Sequence, residues 1–85
     1  MSPMELFSTS EFDKDYKKSS KEDIKRINTI IEQLKSGILV GKPLRHIKNT
    51  FSARVGNKRL VYAIDGNKLT LLLFKSREGV YDYLR

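Results

Sequence analysis

The sequence predicts an α+β fold in the order β-α-α-β-β-β, with two N-terminal helices packed on one face of a small antiparallel-rich sheet. Two patterns carry this prediction. Before Gly37, apolar residues recur every three or four positions, the period of a helix buried on one side. From Phe51 onward they recur every second position, the period of a strand. At 85 residues the chain has the length of one domain, predicted to span 1–85.

The N-terminal part is predicted to hold a short strand and two helices. An apolar run at 4–7 predicts the strand, and the Ser8-Thr9-Ser10 cluster offers N-cap residues for a helix over 11–18. The second helix begins after a capping residue, Ser20, and ends near Gly37. Its apolar stripe, which must pack on a sheet, consists of Ile24, Ile27, Ile30, Ile31 and Leu34.

Three strands are predicted in the C-terminal half. Residues 51–55 and 59–64 alternate between apolar and polar, and Gly56-Asn57 separates them as a tight turn. A second turn at Gly66-Asn67 leads to 69–74, which is almost wholly apolar, as expected of a central strand buried on both faces. The remaining C-terminal residues are compatible with a short strand or a helical turn.

The composition excludes several classes of site. The chain has no cysteine and one histidine, His46, so neither a disulfide framework nor a thiolate metal site is possible. A reducing cytoplasm is the simplest setting for such a chain. No apolar run approaches the roughly 20 residues of a membrane span, and the N-terminus does not resemble a signal peptide. We therefore expect a cytoplasmic protein without a membrane partner.

The excess of positive charge lies in the half of the chain that contains the predicted hairpin. The net charge is +7, and residues 1–40 carry seven basic and seven acidic side chains, whereas 41–85 carry ten and three. Such an excess predicts attraction to polyanions. Within it, a two-residue turn would place Arg54 opposite Arg59 and Val55 opposite Lys58. Like charges across a ladder are destabilising, so we expect the two arginines to bind a negative group, most simply a phosphate.

The segment 43–84, about half of the chain, resembles the RelE/ParE superfamily of bacterial and archaeal toxins. Its recurrent pattern is a leucine with a basic residue, an arginine-bearing strand ending in Val-Gly, a second arginine strand ending in tyrosine, an apolar strand, and a terminal basic segment with a tyrosine. These stand here as Leu44-Arg45, Arg54-Val55-Gly56, Arg59-Leu60-Val61-Tyr62, 69–74 and 75–81.

The resemblance implies a toxin of a toxin-antitoxin pair that cuts mRNA on the ribosome. RelE-like members use attack of a ribose 2′-OH on the adjacent phosphate, without metal or cofactor, and they are neutralised by a RelB-like antitoxin. Arg54, Arg59 and Tyr81 stand at matching positions, and Lys75 or Arg77 would supply the remaining cation, depending on the register of the last strand. These five residues are the predicted catalytic set. Lys42, Arg45, Lys48 and Lys58 are predicted to make further phosphate contacts.

Several alternatives remain open at the level of sequence. If the second turn has two residues, Lys75 would lie opposite Lys58 and point away from Arg59, and one extra residue would reverse this. Tyr81 either assists proton transfer, stacks on a base or fills the edge of the core. His46 is either a loop residue or a group that folds back to the hairpin.

Two departures from the family pattern bear on activity. Ser52 and Ser76 stand where some members carry a lysine and a histidine. They favour an alternative function: a ParE-like inhibitor of DNA gyrase, or a RelE-like binder with weak catalysis.

Overall fold

The computed structural model describes residues 4–84 and confirms the α+β fold. The elements, in chain order, are β1 (Glu5–Ser8), α1 (Ser10–Lys18), α2 (Lys21–Lys35), β2 (Lys42–Pro43), β3 (Thr50–Val55), β4 (Lys58–Asp65), β5 (Lys68–Ser76) and α3 (Arg77–Leu84). The strands form one sheet in the order β1-β5-β4-β3-β2. β1 runs parallel to β5, and all other neighbours are antiparallel.

The two N-terminal helices begin at the capping residues that the sequence indicates. The Thr9 hydroxyl accepts the Phe12 N–H at 3.1 Å, and the Ser20 hydroxyl accepts the Asp23 N–H at 3.1 Å. Both helices pack on one face of the sheet, as predicted. Their buried residues (Phe12, Ile27, Ile30, Ile31 and Leu34) share a core with sheet residues that include Leu60, Tyr62, Leu69 and Phe74.

A bulge in β5 sets the register of the sheet's last strand. Tyr62 pairs with Leu71, but Val61 pairs with Leu73, so Leu72 is an extra residue on β5. The turn itself has two residues, since Asp65 pairs with Lys68. The expectation that a two-residue turn places Lys75 opposite Lys58 is therefore wrong. Lys75 lies opposite Arg59, because the strand itself supplies the additional residue.

The C-terminal segment is a helix that packs on the face of the sheet opposite α1 and α2. Its buried residue Val80 contacts a second apolar cluster with Val61 and Leu73. Leu72 packs against the same cluster because the bulge turns it and its neighbour to one side. α3 thus adds a third layer over one end of the sheet, beyond the two layers predicted. No helix in the described residues is long and apolar enough to cross a membrane.

Candidate functional site

A basic cleft lies where α3 crosses the β2-β3-β4 part of the sheet. Its volume is about 340 Å³. Four cationic side chains and one tyrosine line it: Lys42, Arg54, Arg59, Arg77 and Tyr81. The remaining lining residues are small or apolar and come from the same elements: Gly41, Pro43, Leu44, Ser52 and Val80. The cleft therefore combines three of the four predicted catalytic cations and the predicted tyrosine with one predicted phosphate contact.

The two hairpin arginines form the floor of this cleft. Arg54 pairs directly with Arg59 across β3 and β4, which confirms the register predicted from the sequence. Val55 pairs with Lys58 in the same hairpin and belongs to the core on the helix side, so the arginines face the other way, towards α3. Guanidinium groups donate two parallel N–H bonds to phosphate oxygens. Two of them side by side provide the geometry for holding one phosphate from two directions.

Lys75 belongs to the same row of cations but is neutralised. It pairs with Arg59 in the ladder, yet its ammonium group lies 2.8 Å from a Glu11 carboxylate oxygen and 3.1 Å from Asp15 on α1. The hydrogen bond to Glu11 and the nearby Asp15 raise the pKa of Lys75, and Lys75 lowers the pKa of Glu11. Lys75 is absent from the cleft lining. Its position indicates that it holds α1 to β5 and removes one charge from beside Arg59.

Replacing Lys75 by methionine is expected to lower stability near neutral pH, because two carboxylates lose their shared cation. The loss of stability should be smaller at low pH and at high pH than near neutral pH. Glu11 has a folded pKa below its usual 4.5, so its contribution is present above pH 4.5 and disappears as pH falls through the folded pKa. Lys75 has a folded pKa above 10.5, so its contribution is present below pH 10.5 and disappears as pH rises through the folded value.

Urea unfolding of both proteins at pH 3, 7 and above 11 measures this difference. Lys25→Met is the control, since Lys25 is exposed on α2 and forms no ion pair within residues 4–84. Equal effects of the two substitutions at pH 7 would show that the ion pairs contribute nothing specific.

α3 brings Arg77 and Tyr81 to the cleft together. The Ser76 hydroxyl accepts the Gly79 N–H at 3.2 Å, the arrangement of an N-cap, and so begins the helix immediately after β5. Arg77 and Tyr81 are four residues apart and therefore share one face of α3. The Arg77 guanidinium carbon lies 5.7 Å from the centre of the Tyr81 ring. Ser76, one of the two departures from the family pattern, therefore caps the N-terminus of α3.

Tyr81 is exposed, with 57% of its surface accessible, so it does not fill the edge of the core. Arg77, as hydrogen-bond donor and as positive charge, lowers the pKa of Tyr81 below its usual value of about 10, and Arg59 adds a smaller lowering. Both cations stabilise the phenolate form. Tyr81 is thus a group in the cleft whose proton is more easily released than that of a free tyrosine.

The Arg77→Gln substitution is expected to raise the pKa of Tyr81 towards its ordinary value, because the principal stabilising cation of the phenolate is removed. Titration of carbon-13-labelled tyrosine, followed by NMR, measures the change. Arg45→Gln is a suitable control, since Arg45 lies in a neighbouring depression that Tyr81 also lines. A Tyr81 pKa that does not change in Arg77→Gln would contradict the assigned cause.

The other predicted contacts lie in different places. Lys42 lines the cleft, and Arg45 and His46 line the neighbouring depression of about 670 Å³ with Tyr81. Lys48 is exposed in the connection before β3 and lines neither. The ammonium group of Lys58 lies 5.3 Å from the Phe74 ring centre, on the helix side of the sheet. Lys58 therefore does not share a face with Arg59.

Five cleft residues were not predicted as site residues, and two of them, Ser52 and Gly41, affect the polar part of the cleft. Ser52 was noted only as a departure from the family pattern, and Gly41 was not singled out. A signal for Ser52 exists in the sequence, because it alternates with Arg54 and so shares its face of the strand. No signal indicates Gly41, since its contact with β3 depends on tertiary structure. Within residues 4–84, no three acidic or histidine side chains converge to hold a metal ion.

The whole fold matches solved toxin structures. A chain of the RelB-RelE antitoxin-toxin complex from Methanococcus jannaschii aligns with a TM-score of 0.77 and 25% identity, over 93% of this chain and 99% of that one. The chain therefore has the fold of the RelE/ParE toxins. The E. coli DinJ-YafQ complex aligns with this chain at a TM-score of 0.81 and 16% identity, covering 94% and 99% of the two chains.

A third superfamily structure gives the same result. The Staphylococcus aureus YoeB dimer aligns with a TM-score of 0.76 and 21% identity, over 89% and 99% of the two chains. No protein-family model and no curated protein sequence matches the chain. The similarity of this chain to RelE/ParE toxins therefore rests on its fold and on the hairpin motif.

Proposed function

We propose that this protein is the toxin of a toxin-antitoxin pair and that it cuts mRNA on the ribosome. The observation that carries the proposal is the convergence of Arg54, Arg59 and Arg77 with Tyr81 in one cleft. Three guanidinium groups suit a phosphate that gains negative charge during a reaction. A tyrosine with a lowered pKa beside them suits proton transfer.

The reaction is attack of a ribose 2′-OH on the adjacent phosphate. A bond forms between the 2′ oxygen and phosphorus, and the bond from phosphorus to the 5′ oxygen of the next nucleotide breaks. The 2′-OH loses its proton, the leaving 5′ oxygen gains one, and the products are a 2′,3′-cyclic phosphate and a 5′-hydroxyl. Arg54 and Arg59 would hold the non-bridging oxygens, and Tyr81 would exchange a proton with a reacting oxygen.

An antitoxin partner follows from the same charge distribution. The neighbouring structures include a RelB-RelE complex, a DinJ-YafQ complex and a YoeB-YefM complex. The +7 charge of residues 41–85 would attract an acidic segment of a RelB-like antitoxin. Such a segment would compete with RNA for the cleft. Action on ribosomes places the toxin in the cytoplasm.

Expression of the wild-type chain in a translating extract, followed by primer extension along a reporter mRNA, tests this function. Cuts are expected on translated message, and none on the same message when initiation is blocked. Intact message in the presence of folded protein would contradict mRNA cleavage. In that case a supercoiling assay with DNA gyrase distinguishes a ParE-like inhibitor from a RelE-like binder with weak catalysis.

A further inference from the structure

Ser52 has a buried hydroxyl that the protein itself does not satisfy. Only 9% of the residue is exposed, and its Oγ has no hydrogen-bond partner within residues 4–84. Thr50, which is two residues earlier on the same strand and also buried, donates its hydroxyl to the Lys48 carbonyl oxygen at 3.0 Å. Buried polar groups are nearly always hydrogen-bonded, so an exception in a ligand cleft indicates a partner outside the protein fold.

The position of Ser52 places this hydroxyl among the cations of the cleft. Ser52 pairs with Lys42 on β2 and with Val61 on β4, and it shares its face of β3 with Arg54. Two residues along a strand correspond to about 6.6 Å, a distance that an arginine side chain can span. The cleft lining includes Ser52 together with Lys42 and both hairpin arginines.

The backbone around Ser52 is fixed by a close approach of β2. A methyl group at Gly41 would lie 2.2 Å from the Ser52 carbonyl oxygen. The backbone at Gly41 therefore lies against β3 with no room for a side chain between them. This contact orients Ser52 through its backbone and leaves the hydroxyl uncommitted.

We propose that Ser52 is a phosphate-binding residue whose Oγ–H donates to a non-bridging oxygen of the phosphate held by Arg54 and Arg59. A phosphate offers only acceptors at its non-bridging oxygens, and a hydroxyl can rotate its proton towards one of them. The proposal rests on the proposed function for the identity of the phosphate as that of RNA. The hydroxyl supplies a short, uncharged donor beside the two arginines of the cleft.

Titration with adenosine 3′-monophosphate, followed by NMR of labelled protein, tests this role without the ribosome. Adenosine is the control ligand without phosphate. Ser52→Ala is expected to bind adenosine 3′-monophosphate about tenfold more weakly than wild type, the loss of one hydrogen bond to a charged group. Its melting temperature should not fall, since the hydroxyl makes no hydrogen bond within residues 4–84. Thr50→Val, the matched control, should show the reverse: unchanged affinity and a lower melting temperature.

Three results would overturn the assignment. These are equal affinity of Ser52→Ala and wild type, no saturable binding by wild type, or unfolding of Ser52→Ala, which would give the hydroxyl a structural role. The two proposals fail separately. A wild-type chain that binds the nucleotide through Ser52 but leaves translated message intact would contradict mRNA cleavage alone. A chain that cuts message while Ser52→Ala binds and cuts normally would contradict the role of Ser52 alone.

Discussion

Replacing Arg59 by glutamate is expected to abolish message cleavage, lowering its rate by at least about 10³-fold, the upper range for removing one donor to a transition-state anion. The substitution removes a guanidinium from the centre of the cleft and adds a carboxylate that repels phosphate. The fold should survive and even gain slightly. Arg59 lies between Arg54 and Lys75 in the ladder, where three like charges repel one another. A glutamate at this position would instead attract both neighbouring cations.

Lys58→Glu is the matched control, since the same charge change is made one residue away on the opposite face of the sheet. Cleavage by Lys58→Glu should stay within a few-fold of wild type. Primer extension measures the rate and thermal unfolding measures stability. A folded Arg59→Glu protein that still arrests growth and cuts message would remove Arg59 from the mechanism.

Substitution of Gly41 by alanine is expected to produce the largest structural effect of any single methyl group. Gly41 has a φ of +91°, and the added Cβ would lie 2.2 Å from the Ser52 carbonyl oxygen and 2.8 Å from the Ala53 Cα. Both contacts are with backbone, which cannot rotate away, so β2 must move off β3. We expect a loss of about 3 kcal/mol in the free energy of unfolding and displacement of Lys42 from the cleft.

The Gly37→Ala variant distinguishes the cost of a positive φ from the cost of a steric clash with neighbouring backbone. Gly37 has a φ of +89° but no atom within 4 Å of an added Cβ, so it should lose only about 1 kcal/mol. Urea unfolding compares the two variants, and backbone amide shifts of β2 and β3 report the displacement. Equal losses in the two variants would show that the close approach of β2 and β3 has no energetic consequence.

The elements that could be predicted from the sequence are those whose structure is determined by residues close to one another in the sequence. The caps of α1 and α2, the isoleucine stripe and the Gly56-Asn57 hairpin depend on residues within a turn or two of each other. For the same reason the pairing of Arg54 with Arg59 could be predicted, because a two-residue turn fixes the register of the strands that it joins.

The position of Lys75 could not be predicted in the same way. The turn before β5 has the expected length, but the bulge at Leu72 moves every later residue by one place. The run from Leu69 to Phe74 is apolar throughout, so its pattern does not reveal which residue is extra. The carboxylates of Glu11 and Asp15, which take Lys75 out of the cleft, lie some 60 residues away in sequence, beyond the reach of local patterns.

Under the proposed function, the division of the cleft between the sheet and α3 would separate retention of RNA from its cleavage. Arg54 and Arg59 lie on central strands that carry the main core, whereas Arg77 and Tyr81 lie on a helix anchored by the smaller cluster around Val80. Local unfolding begins where buried apolar contacts are few. Transient opening of α3 would thus leave a surface that still holds the phosphate backbone but has lost its proton-transfer group. If the chain cuts mRNA as proposed, the fraction of time that α3 stays docked would set an upper limit on how often a bound message is cut.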